Sequence, residues 1–210
     1  MQKDYITIKK DSRCEFVEKK SKFIATIKKV HNIEDTVKIL SEIKKEFKDA
    51  SHHTYAFKIK NKSLYQKYSD DSEPKGSAGL PILDVINHNN LENVIIIVTR
   101  YFGGTLLGIG GLVRSYSKVA NMAIKQSGII HMVKSKNISI TCNYSLSGKI
   151  QNYLLENKIN IIEIKFLENV IIITLIPIDI VKKIIKDIID LTSNSCEINI
   201  LKEQYMEMEI

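Results

Sequence analysis

The chain has 210 residues, 44% of them apolar, and a formal net charge of +7. That is enough chain for two small domains with separate cores, and no apolar run approaches the length of a membrane span. The stretch YITIKK near the start is too short and too charged for a signal peptide, and the cysteines Cys14, Cys142 and Cys196 are odd in number and far apart. Buried or incidental thiols in a reducing cytosol are expected, with no disulfide framework and no zinc site, so the expected location is cytoplasmic. The charge is uneven. Residues up to Lys134 carry 23 Lys+Arg and 14 Asp+Glu, a net +9, whereas the remainder carries 8 and 10, a net −2. The N-terminal part is therefore the candidate for a polyanionic partner such as RNA, although lysine-rich surfaces also serve solubility alone.

In chain order, strands are predicted at Tyr5–Lys9, Cys14–Lys19 and Ser21–Lys29. In the third, Phe23, Ala25 and Ile27 point inward and Lys22, Ile24, Thr26 and Lys28 the other way. Asn32 with Asp35 resembles a capping box. Ile33, Val37, Leu40, Ile43 and Phe47 then share one helical face. Tyr55, Phe57 and Ile59 alternate as a strand, with Ser63–Tyr68 as its hairpin mate. The loop Ser69–Leu80 (SDDSEPKGSAGL) leads into a helix through about Asn87. Val94–Thr99 is a continuous β-branched run, which suits a strand buried on both faces. A glycine-rich loop follows. From Gly111 the pattern becomes helical, with Leu112, Tyr116, Val119, Ala120, Ala123 and Ile124 on one face and a stop at Ser127-Gly128.

The second half reads strand Asn137–Tyr144, helix Ser145–Asn157, strands Ile159–Phe166 and Val170–Ile176, a helix with Pro177 at its first position, and strand Cys196–Leu201. The order βαββαβ is the ferredoxin-like plan. Its acids are scattered and no histidine follows His131, so it reads as a binding or spacer module. The boundary is expected near Val133–Asn137, giving domains 1–134 and 135–210. No internal repeat or low-complexity tract interrupts either half.

The most concentrated signal is residues 94–116, VIIIVTRYFGGTLLGIGGLVRSY. Five of the chain's nine glycines (Gly103, Gly104, Gly108, Gly110, Gly111) fall there, bracketed by Arg100 and Arg114, two of only three arginines. Arginine presents a planar fork of donors, and a glycine loop entering a helix N-terminus gathers free N–H groups. Arg114, Lys118, Asn121 and Lys125 then form a basic stripe along the helix. The pattern lacks the Lys-Ser/Thr of a Walker loop and the third glycine of a dinucleotide fingerprint. An anion site and a tight structural turn both fit it.

Other constellations are weaker. Asp70, Asp71 and Glu73 could serve a magnesium-dependent phosphoryl enzyme, but no second acidic cluster completes a site, and Asp, Ser, Pro and Gly are also plain turn formers. Asp71 or Glu73 could instead pair with Arg100 or Arg114 and hold the glycine loop in shape. His52 and His53, adjacent in a strand, point to opposite faces, so they cannot easily share a metal. One could act as a base or contact a phosphate. Ser77 in KGSAG does not have the spacing of a nucleophile elbow.

Four strings occur in order: SKFIA (Ser21–Ala25), HHTYAF (His52–Phe57), SDDSEPKGSAGLP (Ser69–Pro81) and TRYFGGTLLGIGGLVRSY (Thr99–Tyr116). Together they resemble the IMPACT/YigZ family over the whole chain. The resemblance implies an α+β protein: a ribosomal-protein-S5-domain-2-like α/β domain followed by a ferredoxin-like domain similar to the last domain of elongation factor G. The family's signature residues map onto Arg100, Tyr101, Phe102, Gly103, Gly104 and Gly108, with Gly110, Gly111 and Arg114 just beyond. Ser72 stands where glycine is often found.

The expected function is a non-enzymatic RNA- or ribosome-associated protein linked to translation or its regulation, with a protein partner also open and no membrane. The expected contact residues are Arg100, Gly103, Gly104, Gly108, Gly110, Gly111, Arg114, Lys118, Lys22 and His53. No catalytic residue, metal or cofactor is expected. The alternative is a metal-dependent hydrolase acting on a phosphorylated or peptide-like small molecule, built from Asp70, Asp71, Glu73, His53 and Arg100.

Overall fold

The structure, a computed structural model, describes residues 4–60 and 63–209. It comprises two compact units, one extending to His131 and the other spanning Met132–Met208. The first contains β1 (Tyr5–Ile8), β2 (Ser12–Glu18), β3 (Ser21–Lys29), α1 (Ile33–Glu46), β4 (His52–Lys60), β5 (Leu64–Ser69), α2 (Gly79–His88), β6 (Val94–Tyr101) and α3 (Gly108–Ser127). Strands β2-β3-β6-β4-β5 form one antiparallel sheet in that order.

Helix α1 covers one face of this sheet, where Ile43 packs with Val30, Phe57, Ile59, Ile95 and Ile97. The other face carries α2 and α3, with Ile82, Ile86, Tyr116, Val119, Ala120 and Ala123 against Phe23, Ala25, Ile27, Ile96 and Val98. Each large apolar side chain taken fully out of water stabilises the fold by roughly 1.5–3 kcal/mol. Two-sided coverage explains why Val94–Val98 of β6 is continuously buried. It also accounts for both sides of the β3 alternation: Phe23, Ala25 and Ile27 join the α2/α3 core, and Ile24 and Thr26, pointing the other way, are buried as well. At α1 the Asn32 side chain accepts from the Asp35 N–H at 2.7 Å, while the Asp35 carboxylate accepts from the His31 N–H at 2.8 Å.

The second unit contains most of β7 (Ile129–Cys142), then α4 (Tyr144–Glu156), β8 (Ile161–Phe166), β9 (Val170–Pro177), α5 (Val181–Leu191) and β10 (Cys196–Glu209). Its strands lie in the order β10-β7-β9-β8, the ferredoxin-like arrangement. Ile150 and Leu154 of α4 and Ile184 and Ile188 of α5 close the core over Ile138, Ile140 and Ile172.

Several boundaries differ from expectation. β7 begins at Ile129 rather than Asn137, and β10 continues to Glu209 rather than Leu201. Pro177 closes β9 instead of opening α5. It is the last residue in the β7–β9 register, where a strand-end proline interrupts no ladder. Among the described residues no helix is long and apolar enough to cross a membrane.

Candidate functional site

The SDDSEPKGSAGL segment is organised by its own acids. Asp70 accepts backbone N–H groups from Gly76 (2.8 Å), Ala78 (3.1 Å) and Gly79 (2.8 Å), so one carboxylate holds the start of α2. Asp71 accepts from the His53 N–H at 2.6 Å. Ser72 lies at φ +71°, in the left-handed region that favours glycine, and is exposed. A serine held there stores strain on the order of 1 kcal/mol. Ser72→Gly is expected to stabilise the protein by up to about 1 kcal/mol, because strain relief exceeds the added unfolded-state entropy. An unchanged or lower midpoint in urea would contradict that sign.

Glu73 points inward. Its Oε1 accepts from Arg100 Nη1 at 2.6 Å and from the Tyr116 hydroxyl at 2.7 Å. The His52 Nε2 lies 3.8 Å away. The Arg100 and Glu73 side chains are only 5% and 3% exposed. Burial, then the Glu73 charge, pushes the Tyr116 phenol far up, so it stays protonated as a donor. Arg100 Nη2 reaches Ser21 Oγ at 3.3 Å, and the same oxygen accepts the Gly103 N–H at 3.1 Å. The register places Phe23, Arg100 and His52 in one row across three strands. The guanidinium carbon sits 5.3 Å from the Phe23 ring centre, within cation–π range.

Arg100 and His53, expected to meet an external anion, are therefore both buried. Arg100 clamps Glu73, one of the two acids weighed for that role. His53 is 8% exposed, with its Nδ1 3.2 Å from Thr99 Oγ1. Burial lowers the His53 pKa, and the Asp71 charge offsets part of that. A histidine whose folded pKa is depressed binds its proton more readily in the unfolded chain. Its stabilisation is fully present above the unfolded value near 6.5 and is lost as pH falls through the folded pKa. Urea midpoints should decline below about pH 6.5, and His53→Gln should flatten that decline. Parallel pH profiles for the two proteins would exclude His53 as the cause.

The carboxylates needed for a metal-dependent hydrolase are all engaged by donors of the fold. Among the described residues no group of three His, Cys, Asp or Glu side chains could hold a metal ion. Gly103 is likewise structural, its backbone lying directly against that of Lys20 and Ser21. Gly104 is in an exposed turn at φ +79°.

Of the remaining expected residues, Gly111, Arg114 and Lys118 converge. Helix α3 begins at Gly108, three residues before the expected start, so Gly108, Gly110 and Gly111 form its first turn. That turn has no side-chain cap and no acid. Gly111, Arg114 and Lys118 line a cleft of about 250 Å³ with Phe16, Glu18, Lys19, Leu107 and Ser115. The β2–β3 hairpin delivers Lys19 and Phe16, because Lys19 and Lys20 both take positive φ, 44° and 66°. The Lys118 ammonium stands 4.1 Å from the Phe16 ring centre. Lys22 lies apart from this lining, paired with Glu15 at 2.8 Å. Around the glycine turns Phe102, Leu106 and Ile109 are exposed by 49%, 83% and 63%. Sequence reasoning missed Phe16, Lys19, Leu106 and Ile109, and named Phe102 only as a signature residue of the family the chain resembles. Large apolar side chains between glycines in an exposed loop were the available signal.

Fold and site together define a two-unit α+β protein whose first unit carries a clamped glycine turn beside a basic cleft. The chain belongs to the IMPACT family. The model described as "Impact N-terminal domain" matches residues 19–124, and one described as a domain of unknown function (DUF1949) matches residues 140–195. The chain is 35% identical over 166 residues to "IMPACT family member YvyE" of Bacillus subtilis (strain 168), covering 79% of this chain and 76% of that one. It is 32% identical over 128 residues to "IMPACT family member YigZ" of Escherichia coli (strain K12), covering 60% and 63%. A crystal structure described as that of a hypothetical protein superposes with a TM-score of 0.61 at 25% identity, over 97% of this chain and 100% of that one.

Proposed function

We propose that the protein is a non-enzymatic RNA-binding factor acting in translation or its regulation. In this reading the first unit grips the phosphate backbone of RNA, free or within a ribosome, at the mouth of α3. The observation that carries the proposal is the conjunction there of Lys19, Arg114 and Lys118 with an uncapped helix start and exposed Phe102, Leu106 and Ile109. Cations and free N–H groups suit phosphate oxygens, and exposed apolar side chains give bases a surface to pack on. Lys125 lies eleven residues beyond Arg114 and is also exposed, which continues the basic face for about 16 Å along the helix. The pair of folds, similar to that of elongation factor G, supports a ribosomal setting by analogy.

The test is binding of a labelled single-stranded RNA across a salt series. Affinity should fall steeply with salt, and each phosphate contact removed should reduce the logarithmic slope by about 0.7. Neutralising Arg114 and Lys118 together should therefore flatten the slope by about 1.4 without changing the melting temperature, since both side chains are exposed. Absence of RNA binding at low salt, or an affinity indifferent to salt, would refute the proposal.

A further inference from the structure

Strand β7 ends at Cys142 and β10 begins at Cys196, and these two strands are neighbours in the second sheet. Their relative direction follows from topology. β9 runs antiparallel to β7. The crossover through α5 skips over β7 and returns the chain parallel to β9, so β10 runs antiparallel to β7. The Lys134–Glu203 ion pair at 2.5 Å agrees, lying eight residues before Cys142 and seven after Cys196. The last residue of β7 and the first of β10 therefore meet at one end of the sheet.

Both cysteines line the same open cleft of about 380 Å³, with Thr141, Asn143, Asn194 and Ser195. Cys142 is buried in the unit's core, Cys196 is half-exposed at its rim, and both thiols are free. Facing residues of antiparallel strands have Cα atoms about 4.5–5.5 Å apart, inside the range of about 4.4–6.8 Å that a disulfide spans.

We propose that Cys142 and Cys196 form a dithiol modification site, closed to an intramolecular disulfide by a low-molecular-weight disulfide such as oxidised glutathione. Cys196 is the entry point. Its sulfur lies 3.2 Å from the Thr192 hydroxyl and is open to the cleft. Its thiolate attacks one sulfur of the small disulfide, forming a mixed disulfide and releasing one small thiol. Cys142 then attacks the Cys196 sulfur and expels the second small thiol, which takes up the Cys142 proton. Two protein thiols are oxidised and one small disulfide is reduced to two thiols, so atoms and electrons balance. Burial, then the neighbouring Cys196, pushes the Cys142 thiol up, which suits it to the resolving rather than the first step. The bond ties the first strand of the second unit to its last. Thiols that are reduced in a resting cytosol would thus become a staple under oxidative conditions.

The experiment treats the folded full-length chain with oxidised glutathione, alkylates the remaining thiols and maps the peptides by mass. The expected product is a Cys142–Cys196 linked peptide, with Cys14 recovered alkylated and no glutathione retained. Cys142→Ala should instead retain glutathione on Cys196, and Cys14→Ala should form the link normally. The linked protein should unfold roughly 10 °C higher in the second unit's transition, and a reductant should reverse the gain. Stable glutathione on Cys196 of the natural chain without the link would overturn the proposal. So would a link that forms only in denaturant.

Discussion

Replacing Arg100 with lysine is expected to destabilise the first unit nearly as much as replacing it with alanine. The side chain is 5% exposed and its guanidinium serves two partners at once, Glu73 through Nη1 and Ser21 through Nη2. A lysine ammonium is a point charge. It can approach Glu73, but it cannot also reach Ser21 and lie flat against Phe23. Breaking one side of a buried ion pair costs about 3–5 kcal/mol, because the charge left behind is uncompensated. Glu73→Gln should fall in the same range, and Glu73→Gln with Arg100→Ala should cost far less than the two single changes added together. Asp71→Asn should combine additively with Arg100→Ala, because the Asp71 carboxylate binds the His53 N–H and Lys44 instead. The measurement is a urea double-mutant cycle. If Arg100→Lys lost RNA binding while its unfolding midpoint stayed put, Arg100 would belong to the binding surface and the clamp would be wrong.

Gly103→Ala is the second change with a large expected effect. A methyl group at Gly103 would occupy the space of the Lys20 and Ser21 backbone. Backbone yields less readily than a side chain, so the whole glycine turn must retreat from β3. Overpacking costs about 1–3 kcal/mol, and here the Gly103 N–H bond to Ser21 is lost in addition. A destabilisation near 3 kcal/mol is expected. The displaced turn should also move Phe102 and the start of α3 and weaken RNA binding at fixed salt. Gly104→Ala is the control for space alone, since nothing lies within 4 Å of a methyl group there and only its φ of +79° resists the change. Equal effects at Gly103 and Gly104 would mean that backbone conformation, not close approach, explains both glycines.

Much of the fold could be read from residue patterns alone. The β-branched run of β6 announced a strand covered on both faces, and all six residues expected on the buried face of α3 are buried there. Those signals are local and repeat along one element. The β3 alternation was legible too, since Phe23, Ala25 and Ile27 share the α2/α3 side; that its other face is also buried depends on α1, a separate element. The site was less legible. Glycine and arginine marked the right segment, but the roles of Arg100 and Arg114 are opposite. Arg100 lies in a strand row between Phe23 and His52 and turns inward; Arg114 lies one helical turn into α3 and turns out. That distinction depends on pairings between distant segments, as does the arrival of Phe16 and Lys19 from the β2–β3 hairpin.

Strand β5 bounds the first sheet, and its first five residues are all exposed. Leu64, Tyr65 and Tyr68 are 54%, 53% and 41% open to solvent. A bordering strand with large apolar side chains is a template for aggregation, because its outer backbone groups can accept a strand from another molecule. Lys67 interrupts that template. Were two copies to join edge to edge around this position, the two ammonium groups would face each other across the new ladder, where like charges repel and lose solvent. An exposed lysine on this edge thus opposes polymerisation of concentrated protein through its own sheet.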